Sequence, residues 1–170
     1  MVYEYCPHGG TKSILKEIGD EGLMHYCDTC KVPLWDAFST CIICAVTNEL
    51  GEVALLKQSY VNSDYYVALA GHIIIGESVE ETIEREVMEE IGQKVEEFSF
   101  VRSYPYEKKD LLMLGFHVKV KKQELKLSGE VDEVIWVPVK EAAEHMRKDS
   151  IAQKLIMEIG GGASKRGFFA

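Results

Sequence analysis

The sequence predicts an α/β fold, a mixed β-sheet with helices packed on it. Three observations predict it. Apolar, β-branched runs recur between residues 40 and 139, separated by turn signals such as NELGE and EKKD. One strongly patterned helix signal, SVEETIEREVMEEIG, lies among them. Two further helix-like segments close the chain, so strands surround a few helices.

The first 35 residues stand apart. Paired cysteines and glycines in YCPHGG and YCDTC bracket the segment TKSILKEIGDEGLMH, and few apolar residues follow one another. Residues 1–35 therefore form a small separate segment and residues 36–170 the main domain. In that domain TCIICAVT, VALLKQSY and YYVALA read as strands. EEFSFVRSYPY and LLMLGFHVKVK are two more, and VDEVIWVPV is a short one. EAAEHMRK and SIAQKLIMEI read as helices; the second stops at GGG, and the tail ASKRGFFA is expected to be loose apart from its aromatic pair. Cys41 and Cys44 sit on opposite faces of a strand, about 10 Å apart by the rise per residue, so they are core residues and not a metal pair.

The central helix carries the chemistry. SVEE fits a capping box, with Glu81 reaching back to Ser78, and Gly92 occupies the place of a helix C-terminal glycine. The helix then spans residues 79–91, and Val79, Ile83, Val87 and Ile91 make one apolar stripe through i, i+4 steps. Seven of the residues from Gly71 to Gln93 are glutamates. A solvated acidic face would lie opposite the stripe, but Glu86 and Glu90 fall at its edge and Glu89 just beyond. Like charges at i, i+4 cost about 0.2–0.5 kcal/mol even in water, and partial burial costs more. Divalent cations among the three carboxylates remove that penalty, and Mg²⁺ so held keeps waters for substrate phosphates.

Composition sets bounds. At 170 residues the chain can build one domain with a substantial core and a small appendage. A net charge of −9 leaves no broad basic surface for a nucleic-acid backbone, so no nucleic-acid partner is expected, and a phosphate ligand needs metal ions to supply positive charge. No apolar run reaches about 18 residues, so no membrane span is expected. The start has neither the charged nor the apolar region of a secretory leader. Five cysteines without a leader point to a reducing, cytoplasmic setting.

The spacing adds a resemblance. Gly71, five residues, Glu77, seven residues, then Arg85-Glu86-Val87-x-Glu89-Glu90-x-Gly92 resembles the Nudix box, G-x5-E-x7-R-E-U-x-E-E-x-G-U, with U a bulky apolar residue. Every fixed position is met; Gln93 departs at the last U, a packing position. The resemblance implies the Nudix α/β/α sandwich and hydrolysis of a nucleoside diphosphate linked to another group. It implies that Glu86, Glu89 and Glu90 bind Mg²⁺ or Mn²⁺, that Gly71 offers a backbone carbonyl, that Arg85 orients the carboxylates and that Glu77 packs near it. A further metal-linked glutamate before a late strand matches Glu130, with Asp132 and Glu133 behind it. The general base stays open between these glutamates and a residue of a distant loop.

The whole layout resembles the NADH pyrophosphatase type, which carries a small zinc ribbon before the Nudix domain and S-Q-P-W-P-F-P after the box. Here SYPYEKKDLLMLGF keeps Ser103, Pro105 and aromatic character at Tyr104 and Tyr106, which are candidate base-stacking residues or ordinary strand residues. NADH, ADP-ribose and other nucleotide diphosphates stay open. Cys6, Cys27 and Cys30 are candidate zinc ligands, but Gly9 stands where a fourth would complete the second knuckle. Either His8 or His25 closes a Cys₃His site, or the segment folds without zinc on Tyr3, Tyr5, Leu23 and Tyr26. A homodimer is expected from the resemblance alone. The alternative readings are a nucleotide-sensing or protein-docking module, against which the intact glutamates argue, and diphosphate isomerase chemistry, whose extra Cys and Glu positions are not found.

Overall fold

The computed structural model describes residues 3–60 and 62–161, the side chains of residues 62 and 63 excepted; the tail 163–170 lies outside them. The chain divides into two compact units, Met1–Ser39 with Glu107–Leu111, and Thr40–Tyr106 with Leu112–Ala170. The division thus falls a few residues past position 35, and the turn Glu107–Leu111 groups with the first unit.

The first unit is a three-stranded antiparallel sheet of β1 (Ile14–Glu17), β2 (Leu23–Cys27) and β3 (Val32–Pro33). Its interior is small: Cys6, Cys27 and Leu34 are buried, with Tyr3, Cys30 and Val32 against them. Tyr5 and Leu23, expected to fill this core, are instead 57% and 72% exposed. Tyr26, also expected there, is buried at 8% exposure.

The second unit contains β4 (Ser39–Thr47), β5 (Glu52–Gln58), β6 (Asn62–Val67), β7 (Leu69–His72), α1 (Val79–Ile91), β8 (Val95–Tyr106), β9 (Leu111–Val120), β10 (Glu133–Pro138), α2 (Val139–Ala142) and α3 (Ile151–Gly160). The sheet runs β10-β5-β4-β9-β8, with β6 paired to β5 and β7 to β4. The β10, β6 and β7 pairings are antiparallel. Strands β4 and β9 run parallel: Cys41 Sγ meets the Leu112 carbonyl and Thr47 Oγ1 the Val118 carbonyl, at one constant offset. The sheet is therefore mixed. The predicted strand YYVALA splits at Ala68, because Val67 pairs with Leu56 of β5 whereas Leu69 pairs with Cys44 of β4.

Alternation along β4 and β5 builds two cores. Ile42, Cys44, Val46, Ala54 and Leu56 face α1, where they meet Ile83, Val87 and Ile91. Ile43, Ala45, Val53 and Leu55 face the other way, onto Ala142, Met146, Leu155 and Ile156. That is the α/β/α sandwich. The helix predicted over 141–148 is shorter: α2 ends at Ala142 and passes through a 3₁₀ turn, Ala143–His145, into extended Met146. Met146 thereby drops into the core, a placement that a continued helix would forfeit.

Candidate active site

The site begins with the anchoring of α1. Ser78 caps it: its hydroxyl accepts from the Glu81 N–H and the Glu81 carboxylate accepts from the Ser78 N–H, at 3.2 and 2.8 Å. Gly92 ends the helix in the left-handed region at φ 66°, where a side chain would be strained. Ile83, Val87 and Ile91 are fully buried, which contributes roughly 5–9 kcal/mol at about 1.5–3 kcal/mol each. That anchoring outweighs the cost of the charge the helix carries inward.

Arg85 organises the near end. Its guanidinium grips both oxygens of Glu77, at 2.6 and 2.9 Å, and donates to Glu86 at 2.7 Å, Glu89 at 3.2 Å and the His72 carbonyl at 3.2 Å. Thr82 adds a hydrogen bond to Glu77 at 2.8 Å. The Arg85 hydrogen bonds hold the Glu77 carboxyl down at about 2, so it is a fixed anion. The same partners raise the Arg85 pKa further above its ordinary value. Gly71 on β7 faces Glu86 so closely that an added Cβ would displace the carboxylate from its present position.

Glu90 is the costly residue. It is 5% exposed, Gln58 Nε2 donates to its Oε1 at 3.1 Å, and its Oε2 is buried without a partner. Burial, then the Glu86 charge, pushes its pKa from 4.5 to about 7. Burial also raises Glu86, against the opposing pull of Arg85. Glu89 remains 59% exposed.

These groups line a cleft of about 520 Å³ formed by Arg85, Glu86, Glu89, Glu90, Ser128, Gly129 and Glu130. The loop carrying Glu130 is tied to the helix end by Lys126 N–H to the Ile91 carbonyl at 3.2 Å and Ser128 N–H to the Glu90 carbonyl at 3.3 Å. Gln93, the one departure from the box, is fully buried. Its amide donates to the Ile91, Gln123 and Glu124 carbonyls and accepts from the Gln123 N–H. An apolar side chain there would leave those loop groups unpaired, so the departure is part of how the cleft is closed. Asp132 and Glu133 are committed elsewhere, to the Ser59 N–H at 2.6 Å and the Tyr66 hydroxyl at 2.8 Å. Glu130 faces the cleft, touched only loosely by the Tyr60 hydroxyl at 3.4 Å.

The donor set suits a hard divalent cation: clustered carboxylates, an unpartnered buried oxygen and a side-chain-free backbone at Gly71. Among the described residues, the Cys6, Cys27 and Cys30 set is the one whose ligand atoms all lie within 4.8 Å of one another. The glutamates do not close as a set, because Glu86 and Glu89 are turned onto Arg85.

Tyr104 differs from expectation. It is 7% exposed and packs in the core beneath α3, and burial pushes its phenol up to about 12. No ring face is open to a base. Tyr106, two residues on, is half-buried. Sequence reasoning also missed Gln58, Thr82 and Ser128; the signal was slight, a polar residue ending a buried strand in the case of Gln58.

The NUDIX domain family model matches residues 38–158. The chain belongs to the Nudix family. It is 27% identical over 155 residues to the NAD-capped RNA hydrolase NudC of Photobacterium profundum, covering 91% of this chain and 57% of that one. It is 28% identical to the mitochondrial NAD(P)H pyrophosphatase NUDT13 of Mus musculus, covering 86% of this chain and 42% of that one. The chain thus spans about half the length of these curated relatives. Among solved structures, a NUDIX hydrolase from Nitrosomonas europaea superposes with a TM-score of 0.74 at 19% identity, over 95% of this chain and 94% of that one, which supports the fold.

Proposed function

We propose that the chain is a divalent-metal-dependent hydrolase that cuts the diphosphate of a nucleoside diphosphate linked to a second group, an NADH- or ADP-ribose-like substrate. The observation that carries this reading is Glu90, a buried carboxylate with one unpartnered oxygen in a cleft shared with Glu86, Glu89 and Glu130. Among the described residues no cation pairs with Glu90, so the arrangement makes sense with a metal ion.

Bound Mg²⁺ or Mn²⁺ neutralises the diphosphate and activates water. Glu86, Glu89, Glu90 and Glu130, with the Gly71 carbonyl, hold the metal. Arg85, gripped by Glu77, ties Glu86 and Glu89 down at the cleft in the metal-free state, and Gln58 fixes Glu90. Tyr106 is the remaining candidate for stacking on a base. The names of the relatives favour a nicotinamide dinucleotide, free or at an RNA end. A panel of NADH, NAD⁺, ADP-ribose, FAD, diadenosine polyphosphates, 8-oxo-dGTP and an NAD-capped oligonucleotide, assayed with Mg²⁺ and with Mn²⁺, tests the reading. Metal-dependent release of a nucleoside monophosphate from one of them is expected. No turnover of any, with metal bound, refutes it.

A homodimer in a reducing, cytoplasmic setting belongs to the same proposal. Five free thiols support the compartment, and a monomeric mass by light scattering at micromolar concentration would exclude the dimer.

A further inference from the structure

The first unit holds a second cluster of metal-ligating side chains. The sulfurs of Cys6, Cys27 and Cys30 all lie within 4.8 Å of one another, with 3.9 Å between Cys6 and Cys30, and none is in a disulfide. Two backbone donors aim at them: Gly9 N–H at Cys6 Sγ, 3.4 Å, and Cys30 N–H at Cys27 Sγ, 3.3 Å. Such donors favour thiolate over thiol. Cys6 and Cys27 are buried with Leu34 and Tyr26 in the unit's small interior, with Cys30 packed against them, and so small an apolar core needs a staple.

The fourth corner has no side chain. A Cβ on Gly9 would stand 2.8 Å from Cys30 Sγ and 3.5 Å from Thr11 Oγ1, with no other neighbour within 4 Å. His25 is turned away, its Nδ1 2.7 Å from the Ser13 hydroxyl. His8 is exposed and outside the set. The one polar side chain at the corner is Thr11, whose hydroxyl is 4.0 Å from Cys27 Sγ.

We propose that Cys6, Cys27 and Cys30 bind a zinc-type ion whose fourth position, beside Gly9, stays open to an exogenous small thiol. Three sulfurs select a soft or borderline metal, and such an ion in turn favours a soft fourth donor. The incoming thiol binds as thiolate and its proton leaves to solvent. Thr11 lies beside that position, its hydroxyl shared with the Gly9 carbonyl at 3.4 Å and the Thr29 hydroxyl at 3.2 Å. The inference is independent of the hydrolase reading, since every residue in it belongs to the first unit.

The full chain, reduced with a phosphine and stripped by chelator, is titrated with Co²⁺, and its absorption is recorded before and after adding 2-mercaptoethanol. One Co²⁺ per chain is expected, with a sulfur-to-cobalt charge-transfer band that strengthens with the thiol and vanishes when Zn²⁺ displaces Co²⁺. Gly9→Cys supplies a fourth ligand once the Cys30 side chain gives way to the new Cβ. It should bind Zn²⁺ at least ~100-fold more tightly, one ligand's share of a four-ligand site, and its spectrum should ignore the thiol. The wild-type thiol response and its persistence in His8→Ala decide the question even if Gly9→Cys folds poorly. No Co²⁺ binding by the wild type, a spectrum indifferent to thiol, or loss of the response in His8→Ala overturns the proposal.

Discussion

Glu90→Gln is the sharpest perturbation of the candidate site, because it should separate stability from metal binding. Folding raises the Glu90 pKa from 4.5 to about 7. Between those values the folded protein holds a proton that the unfolded chain has released, so the stability of the metal-free protein falls as pH rises from about 4.5 to about 7. The loss amounts to about 3 kcal/mol, at about 1.4 kcal/mol per tenfold change in proton affinity. Glutamine keeps the size and the hydrogen bond from Gln58, and never ionises. In EDTA the variant and wild type should be alike near pH 4.5, and the variant should be about 3 kcal/mol more stable at pH 8, roughly 6–12 °C in Tm for a chain of this length. Saturating Mn²⁺ should stabilise the wild type by about 2.7 kcal/mol at a hundred times Kd and the variant far less. Urea and thermal unfolding at both pH values, with and without Mn²⁺, measure each quantity. A variant no more stable than wild type at pH 8 without metal, or one gaining as much from Mn²⁺, refutes the reasoning.

Three further outcomes are expected. Glu86→Gln should abolish most hydrolysis and leave the circular dichroism unchanged; activity within a few-fold of wild type on the best substrate would contradict its role in holding metal. Gln58→Leu removes the one hydrogen bond that the described residues give the Glu90 carboxylate and should weaken Mn²⁺ binding about 10–100-fold, read by calorimetry; an unchanged Kd would mean that Glu90 needs no such support. Ser78→Ala removes the hydroxyl that accepts from the Glu81 N–H, leaves the Ser78 N–H bond to the Glu81 carboxylate, and should cost about 1 kcal/mol, read as a lowered urea midpoint with the denaturant slope unchanged; a midpoint equal to wild type would show the cap to be dispensable.

What could be read locally was legible in the sequence. The bounds of α1 emerged residue for residue, because the capping box, the terminal glycine and the i, i+4 stripe all act within a few residues of the helix. That Glu86, Glu89 and Glu90 line one cleft follows from the same local geometry, since one helix carries all three; that Glu86 and Glu89 turn onto Arg85 does not. Gly71 and Arg85 came with the spacing of the box.

Tertiary structure alone decided the rest. Gln58 reaches Glu90 only because β5 lies under α1, and Gln58 shares the face of Leu56. Tyr104 and Tyr106 look equivalent in sequence, yet α3 covers one, and nothing in the strand itself says which residues a helix fifty positions later will cover. Gln93 reads as a lapse until the loop at 123–126 folds back to meet its amide. Likewise three cysteines and a glycine are only a spacing until β2 and the turn after it bring the sulfurs together and leave the Gly9 corner open. Helix caps and periodicity are energies between near neighbours in the chain; burial, orphaned charge and open coordination sites depend on segments far apart in sequence, and only the assembled fold sets them.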